Sequence, residues 1–365
     1  MSRLPLAVYG QAMLTAVGED GASSCAAMRA GIHGARQKKL WDYTVGDDLF
    51  SARPRLHQWW EGPTMLAPLA TPVVQQCAAL ARQLGLVEAA APGLGLPVLV
   101  LLPPADRPWR PANLEALVMD DLARRLGGPL PAGSQAIAGG RTGIAAALRA
   151  GEALLDRGQA RACIIVGVES FLRQGIVDHY IELGRLKCGT NSNGFIPGEA
   201  ACAVLVSRAG ALPAADQLVI EGLGIGHEPG LDGGTEDAPV SGDGLTHAIE
   251  QAMGQAGVPY FDLHFSINDH NGERFKFKEA AVAATRLDRL PPEGKTRRVK
   301  GYFQSWHPAE SIGEVGAATF PCLLGWAFEA GLKDYAPSPH ALLHAGEDNG
   351  ERVALVTRFQ RGGAS

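Results

Sequence analysis

Apolar and polar positions along the chain alternate between short apolar runs and longer stretches with helical spacing, and the rhythm occurs twice. In the first half, apolar runs at residues 7–14, 98–102, 162–169 and 200–207 are strand-sized. Their near-continuous apolar character is that of strands covered on both faces. Between them, residues 21–30, 71–84, 114–126 and an Ala-rich stretch running to Gly158 carry apolar side chains at helical spacing. Residues 35–65 are rich in Trp, Pro and charge and read as an inserted surface region, and residues 173–193 form a polar excursion.

In the second half, strands are expected at residues 218–224, 263–268 and near 299–304, alternating with helices at 244–256, 275–287 and 312–330. The last of these helices is apolar nearly all round, so it belongs between layers. Strands at 341–344 and 353–357 are joined by a segment whose Asp348-Asn349-Gly350 carries hairpin chemistry. Two successive β-α-β-α-β-β halves imply an internal duplication, with one half at residues 1–210 and the other at 215–365. Strands alternating with helices predict a layered α/β fold with mixed sheets.

Composition narrows the function classes. A chain of 365 residues with 46% hydrophobic residues can bury a substantial core. Its 46 glycines and 19% charged residues suit close helix–sheet packing. A net charge of −5 argues against nucleic acid as a partner, because phosphate binding needs a basic face. No run approaches the ~20 apolar residues of a membrane span, and the first ten residues lack a signal peptide's pattern. The six cysteines (25, 77, 163, 188, 202 and 322) show no paired spacing. Cys163, Cys202 and Cys322 lie in apolar patterns as small buried hydrophobes, so a cytoplasmic, reducing compartment is expected. No cofactor motif is present. Asp269, His270, Glu273 and His307 offer the donor types of a metal set, but no close ligand pair supports one.

The chemistry-bearing segments resemble those of the β-ketoacyl synthases of the thiolase superfamily. Ala136-Ile137-Ala138-Gly139-Gly140-Arg141-Thr142-Gly143, the helix after it and the strand ending in Gly167-Val168-Glu169 resemble the family's nucleophile segment. Residues 9–18 resemble its first strand and turn. Gly194-Phe195-Ile196-Pro197-Gly198-Glu199-Ala200-Ala201 is similar to its "GFVPGEGA" block and is the most specific match. Residues 299–318 resemble the second-half segment that ends in a Gly-Ala-Ala-Gly turn. The resemblance implies a thiolase-like five-layer αβαβα sandwich built from two duplicated halves. It also implies a Cys at a helix N-terminus, where the dipole lowers its pKa, and two His residues that stabilise an enolate or oxyanion.

This chain departs from that set. The nucleophile position falls at Gly140 or Arg141, and neither can form a thioester. The first His matches His270. The second position falls on Glu310, with His307 three residues earlier. The final "GFGGTN" loop is replaced by Ala345-Gly346-Glu347-Asp348-Asn349-Gly350. Loss of a nucleophile commonly costs on the order of 10⁶ in rate, and Cys25 and Cys188 stand outside the motif. The site set is therefore His270, Glu310, His307 and Asp269, as a vestigial or altered site.

Arg141 at a helix start opposes the macrodipole. It is either a plug or a clamp on a carboxylate or phosphate or, as the commoner case, paired inside a collapsed pocket with Glu310 or Glu169. The cluster Asn268 to Glu273 is either a ligand site or a hydrogen-bonded turn with Glu273 capping the next helix. Glu199 is expected to be structural, and Arg173, Arg185 and Lys187 to be surface groups.

Two functions follow from the resemblance. One is a non-condensing pseudoenzyme acting as partner subunit, adaptor or chaperone, as a chain-length-factor subunit does beside an active synthase. The segments at residues 184–201 and 269–273 are also similar to those of short synthase-like proteins encoded beside type VI secretion effectors. The other is an acyltransferase or hydrolase acting on acyl carrier protein or acyl-CoA, with altered chemistry around His270. Either way the resemblance implies a dimer through the strand at residues 132–138: a homodimer, or a heterodimer with a synthase-like or effector protein. Acyl carrier protein is a further partner in view.

Overall fold

The computed structural model describes residues 5–56, 62–88, 93–229, 240–288 and 303–363. The first half runs β1 (Leu6–Leu14), α1 (Gly21–Arg29), β2 (Ala35–Asp42), β3 (Asp47–Ala52), α2 (Leu66–Gln83), β4 (Val98–Leu101), α3 (Leu114–Arg125), β5 (Gln135–Ile137), α4 (Ile144–Asp156), β6 (Ala162–Ser170), α5 (Gln174–Glu182) and β7 (Glu199–Arg208). The second half runs β8 (Gln217–His227), α6 (Asp243–Ala256), β9 (Phe265–Asn268), α7 (Arg274–Leu287), β10 (Gln304–Trp306), α8 (Ala309–Ile312), α9 (Thr319–Leu332), β11 (His340–Gly346) and β12 (Glu351–Gln360).

Strand order shows the duplication directly. The first half pairs β1-β7-β6-β4-β5 and the second β8-β12-β11-β9-β10. The senses also match, with two antiparallel pairings followed by two parallel ones in each half. A short antiparallel contact of β1 with β8 joins the half-sheets.

Three cores define five layers, helix–sheet–helix–sheet–helix. One face of the first half-sheet packs on α2 and α3 through Val73, Val74, Val118 and Val166. One face of the second packs on α6 through Leu245, Ile249, Leu342 and Val356. The faces turned inward enclose α4 and α9 through Ile144, Leu148, Phe320, Leu324, Ile165 and Leu343. α9 is buried at all but its last residue, as its all-round apolar sequence requires. The expectation that no run approaches the length of a membrane span is corrected: Gly62–Gln83 is long and apolar enough by length and composition, and α2 within it lies against β1, β6 and β7.

Several expectations change in detail. The long helix at 312–330 is broken: α8 ends at Gly313, where φ is 71°, and a 3-10 turn at Gly316–Ala318 precedes α9. Both Gly313 and Gly316 hold positive φ, which a continuous helix excludes. The region 35–65 contains the β2–β3 ribbon and a 3-10 turn at Gly62–Met65 that leads into α2, and residues 57–61 lie outside the described set. The strand near 299–304 is found as β10 at Gln304–Trp306, with 299–302 outside the described residues.

Close packing of β8 on α6 has a readable cause. Gly222, Gly224 and Gly226 alternate with Leu223 and Ile225, and a Cβ on these glycines would lie 1.9, 1.8 and 2.0 Å from the carbonyl oxygens of Ala252, Ala248 and Gly244. The helix rests on bare strand backbone. Gly224→Ala must push α6 away from the sheet, so it is expected to lower unfolding stability by about 3 kcal/mol, the upper end of overpacking costs. Urea titration of the variant checks this; a change within about 0.5 kcal/mol contradicts the packing.

Candidate functional site

The site lies where β5, β6, β9 and β11 end and the two halves meet. Beyond β5 the chain turns through residues 139–143 into α4. Gly140 holds φ 52°, and a Cβ there would meet Glu347 Oε2 at 2.0 Å. Only glycine fits, and the turn delivers Arg141, whose side chain is fully buried.

Arg141 is held on several sides. Its Nε donates to Glu314 Oε1 at 3.0 Å, and Nη1 donates to Glu347 Oε1 at 2.9 Å and Asp348 Oδ1 at 3.2 Å. Its backbone N–H donates to Glu347 Oε2 at 2.8 Å. Nη2 is buried without a protein partner. The pairing expected with Glu310 or Glu169 is therefore corrected. Glu310 is exposed on α8, and its backbone oxygen accepts from His33 Nδ1 at 2.7 Å. The break at Gly313 reverses the chain and turns Glu314 inward in its place.

Two further arginines complete a charge lattice. Arg107, from the loop before α3, donates to Glu169 at 2.7 Å, Tyr180 Oη at 3.0 Å, Asp348 Oδ2 at 3.1 Å and Glu347 at 3.2 Å. Arg185, after α5, grips Glu273 through two bonds of 2.6 and 3.1 Å and reaches Asp348 at 3.0 Å. Arg185 was expected at the surface; it is buried because Glu273 and Asp348 neutralise it. Glu273 accordingly does not cap α7, although it stands at that helix's N-cap position. Asp269 pairs with Lys276 and accepts from the Gly346 N–H at 3.0 Å. Glu199 accepts from Ser170 Oγ at 2.8 Å, a structural contact.

The electrostatics follow from this pairing. Burial pushes the carboxyls of Asp269, Glu314 and Asp348 up, but Lys276, Arg141 and the three arginines respectively outweigh it and hold them below their ordinary range. Glu169 goes the other way. Its burial outweighs Arg107, and nearby Glu347 adds to the rise, so it takes a proton more readily than a free Glu.

His270 follows β9. It is buried, and neither ring nitrogen has a hydrogen-bond partner. Its ring centroid lies 4.8 Å from that of His307, 5.9 Å from His344 and 4.4 Å from Phe277. His307 Nδ1 donates to Asn268 Oδ1 at 2.9 Å. Burial, reinforced by His344 and His307, holds His270 well below 6.5, and burial lowers His344 to about 4. The cleft beside these rings, lined by Asp269, His270, Lys276, Glu279, His344 and Arg352, has about 20 Å³ of free volume. That is room for one water.

His270, His307 and Asp269 thus come together; Glu310 stays exposed on α8 and reaches His307 only through its field. Glu314, Glu347, Asp348 and Arg107 were not singled out as site residues. Glu347 and Asp348 stood in a loop recognised as rebuilt, and their two adjacent acids beside a buried hairpin were the available signal. Arg107 lies in a Pro-rich loop and left none. Among the described residues, no group of three or more His, Cys, Asp or Glu is arranged to hold a metal ion. Nor does the turn 139–143 hold a thiol or hydroxyl nucleophile other than Thr142, whose Oγ1 donates to Gly139 O at 3.2 Å.

No known family model matches the chain, and no curated protein sequence matches it. Solved structures do. A ketosynthase domain of oxazolomycin synthesis from Streptomyces albus JA3453 superposes with a TM-score of 0.69 at 15% identity, over 99% of this chain and 75% of that one. A ketosynthase in complex with its chain length factor from Xenorhabdus doucetiae gives 0.69 at 14% identity, over 98% of each chain. The ishigamide ketosynthase/chain length factor gives 0.64 at 18% identity, over 97% and 99%. The chain has the thiolase-like fold of the ketosynthases.

The depressed histidines set a pH dependence. The unfolded chain protonates His near 6.5, and the folded site resists until about pH 4 at His344, so stability is complete above pH 6.5 and falls as pH drops through that window. His344 alone accounts for on the order of 3 kcal/mol. The thermal midpoint is expected to fall between pH 7.5 and 5, and His344→Gln to flatten that fall. An equally steep fall in the variant contradicts the assignment.

Proposed function

We propose that this protein is a non-condensing member of the ketosynthase fold that acts by binding, as a partner subunit, adaptor or chaperone. The observation that carries this is Arg141. The resemblance puts the acyl-accepting Cys at Gly140 or Arg141, and the Arg141 guanidinium is fully buried there and paired with Glu314, Glu347 and Asp348. An acyl chain has no thiol to join in the turn 139–143. A ketosynthase bound to its chain length factor is among the similar structures, which supports a synthase-like heterodimer partner. β5 is an edge strand of the large sheet, open for pairing across a two-fold in a homodimer or heterodimer. The likeness of residues 184–201 and 269–273 to proteins encoded beside type VI secretion effectors makes an effector the other partner class. All six cysteines are free thiols, which accords with a reducing cytoplasm.

One observation favours residual acyl-transfer or hydrolytic chemistry instead: His270 is neutral, with both ring nitrogens uncommitted beside the cleft. The two readings separate in one assay. With acyl-CoA and malonyl-CoA, or the same groups on acyl carrier protein, thiol release is expected to stay at the buffer rate. Turnover that His270→Ala abolishes contradicts the non-condensing reading and establishes the other.

A further inference from the structure

β2 and β3 form a two-stranded ribbon apart from the main sheet. Its inner face is in use among the described residues. Leu40 and Leu49 are buried and join Phe171, Tyr180 and Phe195 in a small core, and Asp42 accepts the Gly189 N–H at 2.8 Å. The outer face is not. Trp41, Tyr43 and Phe50 are 50%, 50% and 55% exposed, and Val45 in the turn is 51% exposed. Trp41 stands opposite Asp48, so Trp41, Asp48 and Phe50 share the outward side of the pleat. Single exposed apolar residues are ordinary, but three half-exposed aromatic rings on one ribbon mark an interaction surface.

The ribbon's edges are closed where these residues sit. Gln174 bonds both the N–H and the carbonyl of Trp41 at 2.9 Å. Gln37 donates to the Asp48 carbonyl at 2.8 Å, and the Asp47 carboxylate accepts the Asp48 N–H at 2.7 Å. Strand addition is blocked there, and the face is what remains available.

The turn end of the ribbon is acidic. Asp47, Asp48 and Glu182 are exposed, and Tyr43 stands within the field of Glu182 and Asp178. At the other end Arg36 donates to the carbonyls of His33 and Ala35 at 2.8 Å.

We propose that this outward aromatic face docks a partner protein through a segment presenting apolar side chains beside lysine or arginine. Rings of this kind supply area at low entropic cost, and the carboxylates select the cationic neighbour. A second copy of this chain fits less well, because a two-fold contact would set the same acids against themselves. Phosphate-rich surfaces are repelled by the same groups.

The proposal adds a surface and a partner chemistry to the binding role and does not depend on the fate of condensation, which the thiol-release assay reads separately. Calorimetric titration of the full chain with two 12-residue peptides, one alternating Leu and Lys and one alternating Leu and Glu, tests it. The Lys peptide is expected to bind at least tenfold tighter and to weaken with salt. Trp41→Ala and Phe50→Ala should each weaken it at least tenfold, while Leu117→Ala, at an exposed apolar position on α3, leaves it unchanged. Asp48→Lys, a surface change that spares the core, should narrow or invert the preference between peptides. Equal binding of both peptides, indifference to Trp41, Phe50 and Asp48, or dissociation of a dimer by Phe50→Ala overturns the proposal.

Discussion

The structure turns on a buried lattice of opposite charges across the seam between its halves. Arg107, Arg141 and Arg185 come from the first half; Glu273, Glu314, Glu347 and Asp348 come from the second. Asp348 touches all three arginines. Isolated charges cannot stay in so dry a place, because desolvation costs several kcal/mol per ion. Each therefore depends on the rest being present, and the lattice spans the seam that the β1–β8 pairing and the core around α4 and α9 also close. Such a network need not exceed a well-packed apolar core in stability, but it tolerates no missing member.

The same requirement connects the lattice to function. A ketosynthase-type site needs space for a substrate and a reactive group at the turn before α4. Here that turn carries a guanidinium, and the acids that neutralise it occupy the surrounding volume. Once Arg141 is buried, Glu314 must face inward and the β11–β12 hairpin must supply Glu347 and Asp348. Arg141, Glu314, Glu347 and Asp348 together answer one electrostatic problem, the burial of a guanidinium.

Much of the fold was legible in the sequence because period and burial speak directly. The doubled rhythm of apolar runs became two half-sheets with the same strand order, and the all-round apolar run after Ser311 became the buried helix α9. Local geometry resisted. Gly313 and Gly316 were read as a turn motif, not as the break that ends α8 before α9 begins. The site was legible only in part, because the identity of a charge does not say which way its side chain faces. Arg185 sits among polar residues and reads as surface until Glu273 and Asp348 are seen to enclose it. The resemblance puts a functional position at Glu310, yet the carboxylate that points inward is Glu314, beyond the break at Gly313. Arg107 has no motif around it, and only tertiary structure brings it to Glu169 and Glu347.

The most direct test of this account is a double-mutant cycle on Arg141 and Glu314, the fully buried pair at the centre, using Arg141→Met and Glu314→Gln and unfolding in urea. Each single change leaves a buried charge unmatched and is expected to cost about 3–5 kcal/mol. The double variant should recover at least about 2 kcal/mol of their sum. Costs that add to within about 0.5 kcal/mol would show that the two groups do not share a buried lattice, and the account would fail.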